Sequence, residues 1–413
     1  MKKLLSLCLL SLCACIVLAQ EQVRIWKQGD SKRFTTSELI FENDATSLIV
    51  GDSVYAPFEI DSITVVHTVT VTFAGDTAFV DHGHAGNVTD TIRGAHVKIV
   101  STNTKSELEF VVQGESTHGS LTYEGPLKCK FYLNGLNLKS DKGAAIDIQC
   151  GKRVDLILNE GTENVLADAA GGEQKAALYC KGHLEVSGSG SLTVTGNAKH
   201  GIATKEYLEL KKSTGAITVK KAVADAMHVG QYFLMNGGDV TITGLQGGDG
   251  LQVETLMTVT ADNDTIPNPE KENNGQIIIR GGMLNVTANE DCSKGIKAPG
   301  DMTVSGGTVR VTANGDGTKG ITVSGNWLVN QDTDTALVQV KATGDTYEDE
   351  DDDENDTFCV GLKVKGDFTV NAGTVQVSKN KKNFAYLIRL SKNSKYTVAE
   401  GATVTGTVSR TKT

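Results

Sequence analysis

The chain has 413 residues, 45 glycines against 5 prolines, 39% hydrophobic residues and a formal net charge of −10. Nine acids fall between positions 345 and 356, and no clustered basic surface of the kind that follows nucleic acid stands out. Abundant Val, Thr and Gly describe many short strands and turns, and long amphipathic helices are absent from the pattern.

The first residues read as an export signal. Lys2 and Lys3 precede an apolar stretch from Leu4 to Leu18, too short to span a bilayer, and Val17-Leu18-Ala19 supplies small residues for cleavage after Ala19. Leu12-Cys13-Ala14-Cys15 is a loose lipobox, but the apolar run continues past Cys15. The expected location is therefore the periplasm, cell surface or extracellular space, with a lipid anchor as the lesser alternative. Cleavage leaves 38 basic and 50 acidic residues, a net of −12, and setting aside the nine acids of 345–356 brings this to −3. Five cysteines remain, Cys129, Cys150, Cys180, Cys292 and Cys359. An odd count without any C-x-x-C pair reads as buried small hydrophobes, not as a disulfide framework or a structural zinc site.

Residues 20–110 are β-rich but carry no regular step, and are expected to form a cap or small domain. From 111 onward, short runs alternate apolar and polar residues, among them Leu192-Thr193-Val194, Val240-Thr241-Ile242, Val309-Arg310-Val311 and Val375-Gln376-Val377. Gly237-Gly238, Gly281-Gly282, Gly306-Gly307 and Ala372-Gly373 precede such runs, where glycine admits positive φ.

The decisive feature is repetition. Taking the residue before each small-then-apolar pair gives Lys175, His200, Asp225, Asp249, Lys294, Lys319 and Val360, with steps of 25, 25, 24, 45, 25 and 41. Both long steps contain a visible insertion, one near 262–274 with Pro267 and Pro269, and the acidic run 345–356. Each roughly 25-residue unit reads as one coil of a right-handed parallel β-helix, an all-β solenoid in which equivalent residues stack about 4.8 Å apart. Ile202, Met227, Leu251, Ile296, Ile321 and Leu362 are expected to form one inward column, and on the same alternation Tyr179 points inward and His228 outward.

If that register holds, Asp225 and Asp249 are close neighbours on adjacent coils. Two carboxylates about 5 Å apart repel by roughly 3 kcal/mol at an effective dielectric of 20, and a hard cation such as calcium would offset this. Asp291 and Asp316 repeat the step, each three residues before a lysine. Lys175, His200, Lys294 and Lys319 along the same stripe could meet the carboxylates of an extended acidic polysaccharide.

The turns Gly248-Asp249-Gly250-Leu251, Asp291-Cys292-Ser293-Lys294-Gly295-Ile296 and Asp316-Gly317-Thr318-Lys319-Gly320-Ile321, with the strand pair Met302-Thr303-Val304-Ser305-Gly306-Gly307-Thr308-Val309, resemble a family. It is the bacterial carbohydrate-binding β-helix family, and the likeness covers roughly residues 120–380. The resemblance implies a calcium-containing parallel β-helix that binds acidic sugar polymers and cellulose without established catalysis. It places the family's acidic turn residues on Asp225, Asp249, Asp291 and Asp316. Ala226 departs from the expected glycine. Two other readings stand beside this one: a polysaccharide lyase on the same fold, needing a base beside a cation-bound uronate, and a structural or adhesin-like surface solenoid.

Overall fold

A computed structural model describes residues 22–28, 30–35, 39–41, 47–50, 53–56, 59–83, 85–330, 335–348, 357–380 and 385–411. The export signal and most of the acidic run lie outside the described residues. The chain divides into two compact units, residues 1–68 with 82–85, and residues 69–81 with 86–413.

In the first unit Gln22–Lys27 pairs antiparallel with Asp30–Thr35, and Leu39–Phe41, Leu48–Val50 and Ser53–Tyr55 form an antiparallel meander. Ile25, Leu48, Val50 and Tyr55 are buried together, with Phe34 and Ile60 packed on them.

The second unit is a solenoid of stacked, mainly parallel strands, and the described residues contain no α-helix. Each level contributes three short strands to three faces. Within one level these are Ala176–Cys180, Leu184–Ser187 and Ser191–Gly196, and each pairs in parallel with its counterpart, His200–Thr204, Leu208–Leu210 and Ala216–Ala222. On the first face a 13-stranded sheet runs from Val88–Arg93 to Val408–Arg410, and every pairing beyond the hairpin Val88–Arg93/His96–Ser101 is parallel.

Why this sequence stacks follows from its inward columns. On the first face Leu178, Ile202, Met227, Leu251, Ile296, Ile321, Leu362 and Ile388 are directly paired level to level and are at most 2% exposed. On the second, Phe233, Ile277, Met302, Trp327 and Phe368 form the equivalent column, with the Trp327 and Phe368 rings stacked at 5.1 Å. On the third, Val219, Ile242, Val286, Val311, Val340 and Val377 do so. The three columns meet along the axis, so each level covers apolar surface that it could not bury alone.

The small residue that marks each repeat has a spatial cause. A Cβ at Gly250, Gly295, Gly320 or Gly361 would lie within 2.4–2.7 Å of a carbonyl oxygen of the next level and within 2.4–2.5 Å of a third-face valine methyl. Glycine is there because the levels and faces converge too closely for a side chain. The double-glycine turns behave as expected, since Gly238, Gly282, Gly307 and Gly373 all have φ between 75° and 94°.

The step between paired inward residues is 25 from Ile202 to Met227, 24 to Leu251, 45 to Ile296, 25 to Ile321 and 41 to Leu362. One repeat is shifted from the sequence reading. His200 pairs with Ala176, not with Lys175, so the step to Ile202 starts at Leu178 and is 24. A one-residue slip exchanges the faces of a strand, so Tyr179 lies on the outer side of its strand beside Ala203, where it is nevertheless buried, 7% exposed, against Ala176 and Ala203. The cysteines Cys129, Cys150, Cys180 and Cys359 are buried free thiols, and Cys292 is half-buried.

Two insertions leave the cylinder. Between Leu251–Val253 and Ile277–Ile279 the chain forms an antiparallel hairpin, Met257–Val259 with Thr265–Pro267, whose Met257, Val259 and Ile266 are 49%, 62% and 39% exposed. The second leaves after Leu337–Ala342 and is pinched at its base by a bridge between Tyr347 and Thr357.

Candidate functional site: a lysine-rimmed cleft on the first face

The first face ends at a corner where one side chain per level runs along the stack axis. His200 Nδ1 accepts the backbone N–H of Asp225 at 3.1 Å, Asp225 Oδ1 accepts that of Asp249 at 2.8 Å, and Asp249 Oδ1 accepts that of Lys294 at 2.9 Å. Asp225 and Asp249 are thus vertical neighbours, 6% and 3% exposed. Their repulsion is offset by backbone donors and by cations: Lys294 Nζ and Lys297 Nζ stand 3.6 and 3.7 Å from Asp249. Elsewhere Asp291 Oδ1 accepts from Asp316 N–H and Asp316 Oδ1 from Asp345 N–H, both at 2.7 Å. Asp301, Asn326 and Asp367 cap a third such corner, ending at the N–H of Lys395. A short polar side chain at a solenoid corner therefore has a structural task, since it satisfies the otherwise orphaned amide of the level above.

The His200 level departs from that pattern. His228, one level up on the outward column, turns back so that its Nδ1 is 2.7 Å from Asp225 Oδ2. His200 Nδ1 is 3.4 Å from the same oxygen. The two imidazoles stack at 4.3 Å, and His228 Nε2 is 3.6 Å from Glu254 Oε1. Burial and the neighbouring His228 push the His200 imidazole down to about 4. It is therefore neutral at pH 7, as an Nδ1 that accepts an N–H must be. Burial works against charge on His228, but its bond to Asp225 prevails and raises it. Burial alone would raise Asp225, yet His228, the Asp249 amide and His200 bring it below the ordinary carboxylate range. Asp249 moves the other way, because burial outweighs its lysines.

This corner forms the floor of a cleft of about 360 Å³, lined by Tyr179, His200 and His228, rimmed by Lys175, Lys199 and Lys205, and walled by Glu254 and the start of the hairpin at Met257. A second depression of about 330 Å³ continues down the face from Lys175, Tyr179 and Lys205 to Asp147 and Lys181. The two share residues, so they form one groove. Lys175, Lys181, Lys199 and Lys205 are exposed along it. Lys175 Nζ sits 5.2 Å from the Tyr179 ring centroid, within cation–π reach. Other depressions lie on the second face, about 300 Å³ around Lys130 and Asp155, and in the first unit, about 520 Å³ beside Ile25 and Tyr55.

The site residues expected from sequence separate into three places. Lys175, though out of register, and His200 line the groove, with Asp225 beneath them and Asp249 one level on. Lys294 is drawn to Asp249. Lys319 is half-buried, bonded to Gly317 O and Thr357 Oγ1, and burial lowers it to about 8. Asp291 and Asp316 are exposed on their own corner. His228, Lys199 and Lys205 are additions from the structure. The tyrosines Tyr207 and Tyr232 stack on each other at 4.7 Å and Tyr207 on His183 at 4.4 Å, so their ring faces are covered.

The donor sets can be weighed against calcium, which takes six to eight oxygens. At Asp225 and Asp249 the carboxylate oxygens already face N–H groups, an imidazole and ammonium groups, so this pair does not fit a calcium chelate. Among the described residues no ammonium or imidazole group is seen at hydrogen-bond distance from the exposed Asp291 and Asp316, which lead directly to Asp345 at the root of the acidic run.

Comparison with known proteins places this geometry. The family model described as "carbohydrate-binding domain-containing protein" matches residues 93–403. A carbohydrate-binding domain-containing protein of Acetivibrio thermocellus is 34% identical over 96 residues, which cover 21% of this chain and 33% of that protein. The aligned stretch thus spans about a third of the relative's length. Among solved structures, a polysaccharide lyase-like protein from C. thermocellum, in a gadolinium derivative, superposes with a TM-score of 0.51 at 24% identity, over 66% of this chain and 99% of that one. At that identity the superposition establishes likeness of fold. The family match covers most of the solenoid, and the chain belongs to the carbohydrate-binding domain-containing protein family.

Proposed function

We propose that this chain is an exported, non-catalytic module that holds an acidic polysaccharide, such as a uronic-acid polymer, in the groove on the first face of a right-handed parallel β-helix. The observation that carries this reading is the row of exposed ammonium groups, Lys175, Lys181, Lys199 and Lys205, along two merging depressions on one flat sheet. Levels about 4.8 Å apart present charge at intervals along the stack, which suits a polymer carrying repeated carboxylates better than a compact ligand. Family membership supports a carbohydrate as the partner. Calcium, where it enters, belongs to the exposed Asp291 and Asp316 corner, away from the groove.

Affinity electrophoresis in polygalacturonate gels tests the reading. Replacing Lys175, Lys199 and Lys205 together by glutamine removes three exposed charge contacts of roughly 0.5 kcal/mol each, so binding should weaken about tenfold. Undiminished retardation of the triple variant would overturn the assignment. The same polymer in solution separates the lyase alternative, because elimination leaves an unsaturated uronate with near-ultraviolet absorbance. The module is expected to release none.

A further inference from the structure

The corner beneath the groove brings together three donor atoms that the glycan reading does not use. His200 Nδ1 and His228 Nδ1 lie 3.4 and 2.7 Å from the same oxygen, Asp225 Oδ2, and the ligand-type atoms of the three residues all fall within 4.8 Å of one another. We propose that His200, Asp225 and His228 form a binding site for a single zinc-class divalent transition-metal ion at the floor of the cleft.

The distances are near those of such an ion, and the stacked imidazoles have to rotate to turn both Nδ1 lone pairs onto it. Tetrahedral ligands at about 2.0–2.1 Å from zinc stand about 3.3 Å apart. The His200–Asp225 separation of 3.4 Å already matches that edge, and the His228–Asp225 separation of 2.7 Å needs to open by about 0.6 Å. Two imidazoles and a carboxylate are the donor set of zinc and its neighbours, not of calcium or magnesium.

The supporting groups are also in place. Asp225 Oδ1 is fixed by the Asp249 amide at 2.8 Å, which leaves Oδ2 directed at the imidazoles. With metal on His228 Nδ1, the ring proton sits on Nε2, where Glu254 Oε1 at 3.6 Å can accept it after a small closure. A carboxylate behind a ligating histidine orients the ring and raises its basicity. His200 Nδ1 has a single lone pair, so the ion takes it from the Asp225 N–H it accepts at 3.1 Å, and metal binding has to exceed the cost of leaving that amide without its acceptor. His200 and His228 line the cleft while Asp225 lies under it, so the fourth position faces solvent and takes a water molecule.

This site does not depend on the glycan reading, and its test needs no glycan. The full chain, freed of metal and passed into buffer without chelator, is titrated with Co2+ and with Zn2+. The wild type should bind one equivalent, with intensified visible Co2+ absorption typical of low coordination number, and Zn2+ should displace it and raise the Tm. His228→Gln and His200→Gln, checked for unchanged circular dichroism, should each weaken Zn2+ binding at least tenfold, and Glu254→Gln should do so by a smaller factor. A wild type that binds no Co2+ or Zn2+, or whose binding is untouched in the His200→Gln/His228→Gln double variant, overturns the proposal. Equal competition by millimolar Ca2+ also overturns it.

Discussion

Substituting Gly320 by alanine would test the close packing that makes one level dictate the next. The added Cβ would lie 2.5 Å from the carbonyl oxygen of Gly361 on the next level and 2.5 Å from Val340 Cγ1 on the third face. Favourable carbon contacts begin near 3.5 Å, so something must move by about 1 Å. The carbonyl belongs to a backbone held by the Ile321–Leu362 pairing, and the valine is 2% exposed, so neither has free space to move into. Overpacking of this kind costs about 1–3 kcal/mol, and weakening one inter-level hydrogen bond adds about 1 kcal/mol, giving about 2–4 kcal/mol in all. Gly151 is the control, because a Cβ there meets nothing within 4 Å and its φ is not positive. Gly151→Ala should stay within about 0.5 kcal/mol of wild type. Urea unfolding reports the total, and amide exchange at Ile321 and Leu362 reports whether the loss is local, as expected when each level touches only its neighbours. The double variant Gly320→Ala/Val340→Ala should recover part of the loss but not all of it, since the carbonyl contact remains. If Gly320→Ala is no worse than Gly151→Ala, the reasoning about the glycine column fails.

Other outcomes follow from the corner chemistry. Asp225→Ala leaves the buried Asp249 amide without its acceptor and should cost about 1–3 kcal/mol in thermal or urea unfolding, whereas Asp225→Asn keeps an oxygen there and should cost clearly less. Equal losses would remove the capping role. Lys319, with its pKa lowered to about 8 by burial, should titrate near pH 8 in a lysine-resolved NMR experiment, against about 10.4 for a free side chain. The folded state disfavours its charged form, so Lys319→Met should stabilise the protein at pH 7 and the gain should shrink as pH rises through 8 towards 10. A normal titration would place the ammonium in solvent instead. If calcium sits at Asp291 and Asp316, EGTA should lower the Tm, and added Ca2+ but not Zn2+ should restore it. An unchanged Tm with no calcium by elemental analysis would remove it from those residues.

How much of this was legible in the sequence depends on which forces leave a periodic mark. The inward column Ile202, Met227, Leu251, Ile296, Ile321 and Leu362 was readable because burial recurs at every level. The adjacency of Asp225 and Asp249 followed from it. The slip at Lys175 arose because Lys175-Ala176-Ala177-Leu178 satisfies a small-then-apolar marker at two positions, and only the paired strands decide between them. Tyr179 was placed on the wrong face for the same reason. His228 was read as an outward surface group. Alternation does make it outward, but it does not show that the ring folds back onto the carboxylate three residues earlier in its own level. Lys319 has no sequence signal for burial, because its partner Thr357 lies beyond the acidic insertion. The hairpin wall starts at Met257, before the prolines that announced the insertion. Two carboxylates at this spacing pointed towards a shared cation, whereas the structure directs one oxygen of each to a backbone amide. A corner amide needs its acceptor whether or not a metal is near.

The central claim is that ammonium groups on the first face read the carboxylates of a polymer. Calorimetric titration with an oligouronate and with its fully methyl-esterified form changes only that charge. Binding of the free acid that weakens with salt and is lost in the ester agrees with the claim, while equal affinity for the two would contradict it.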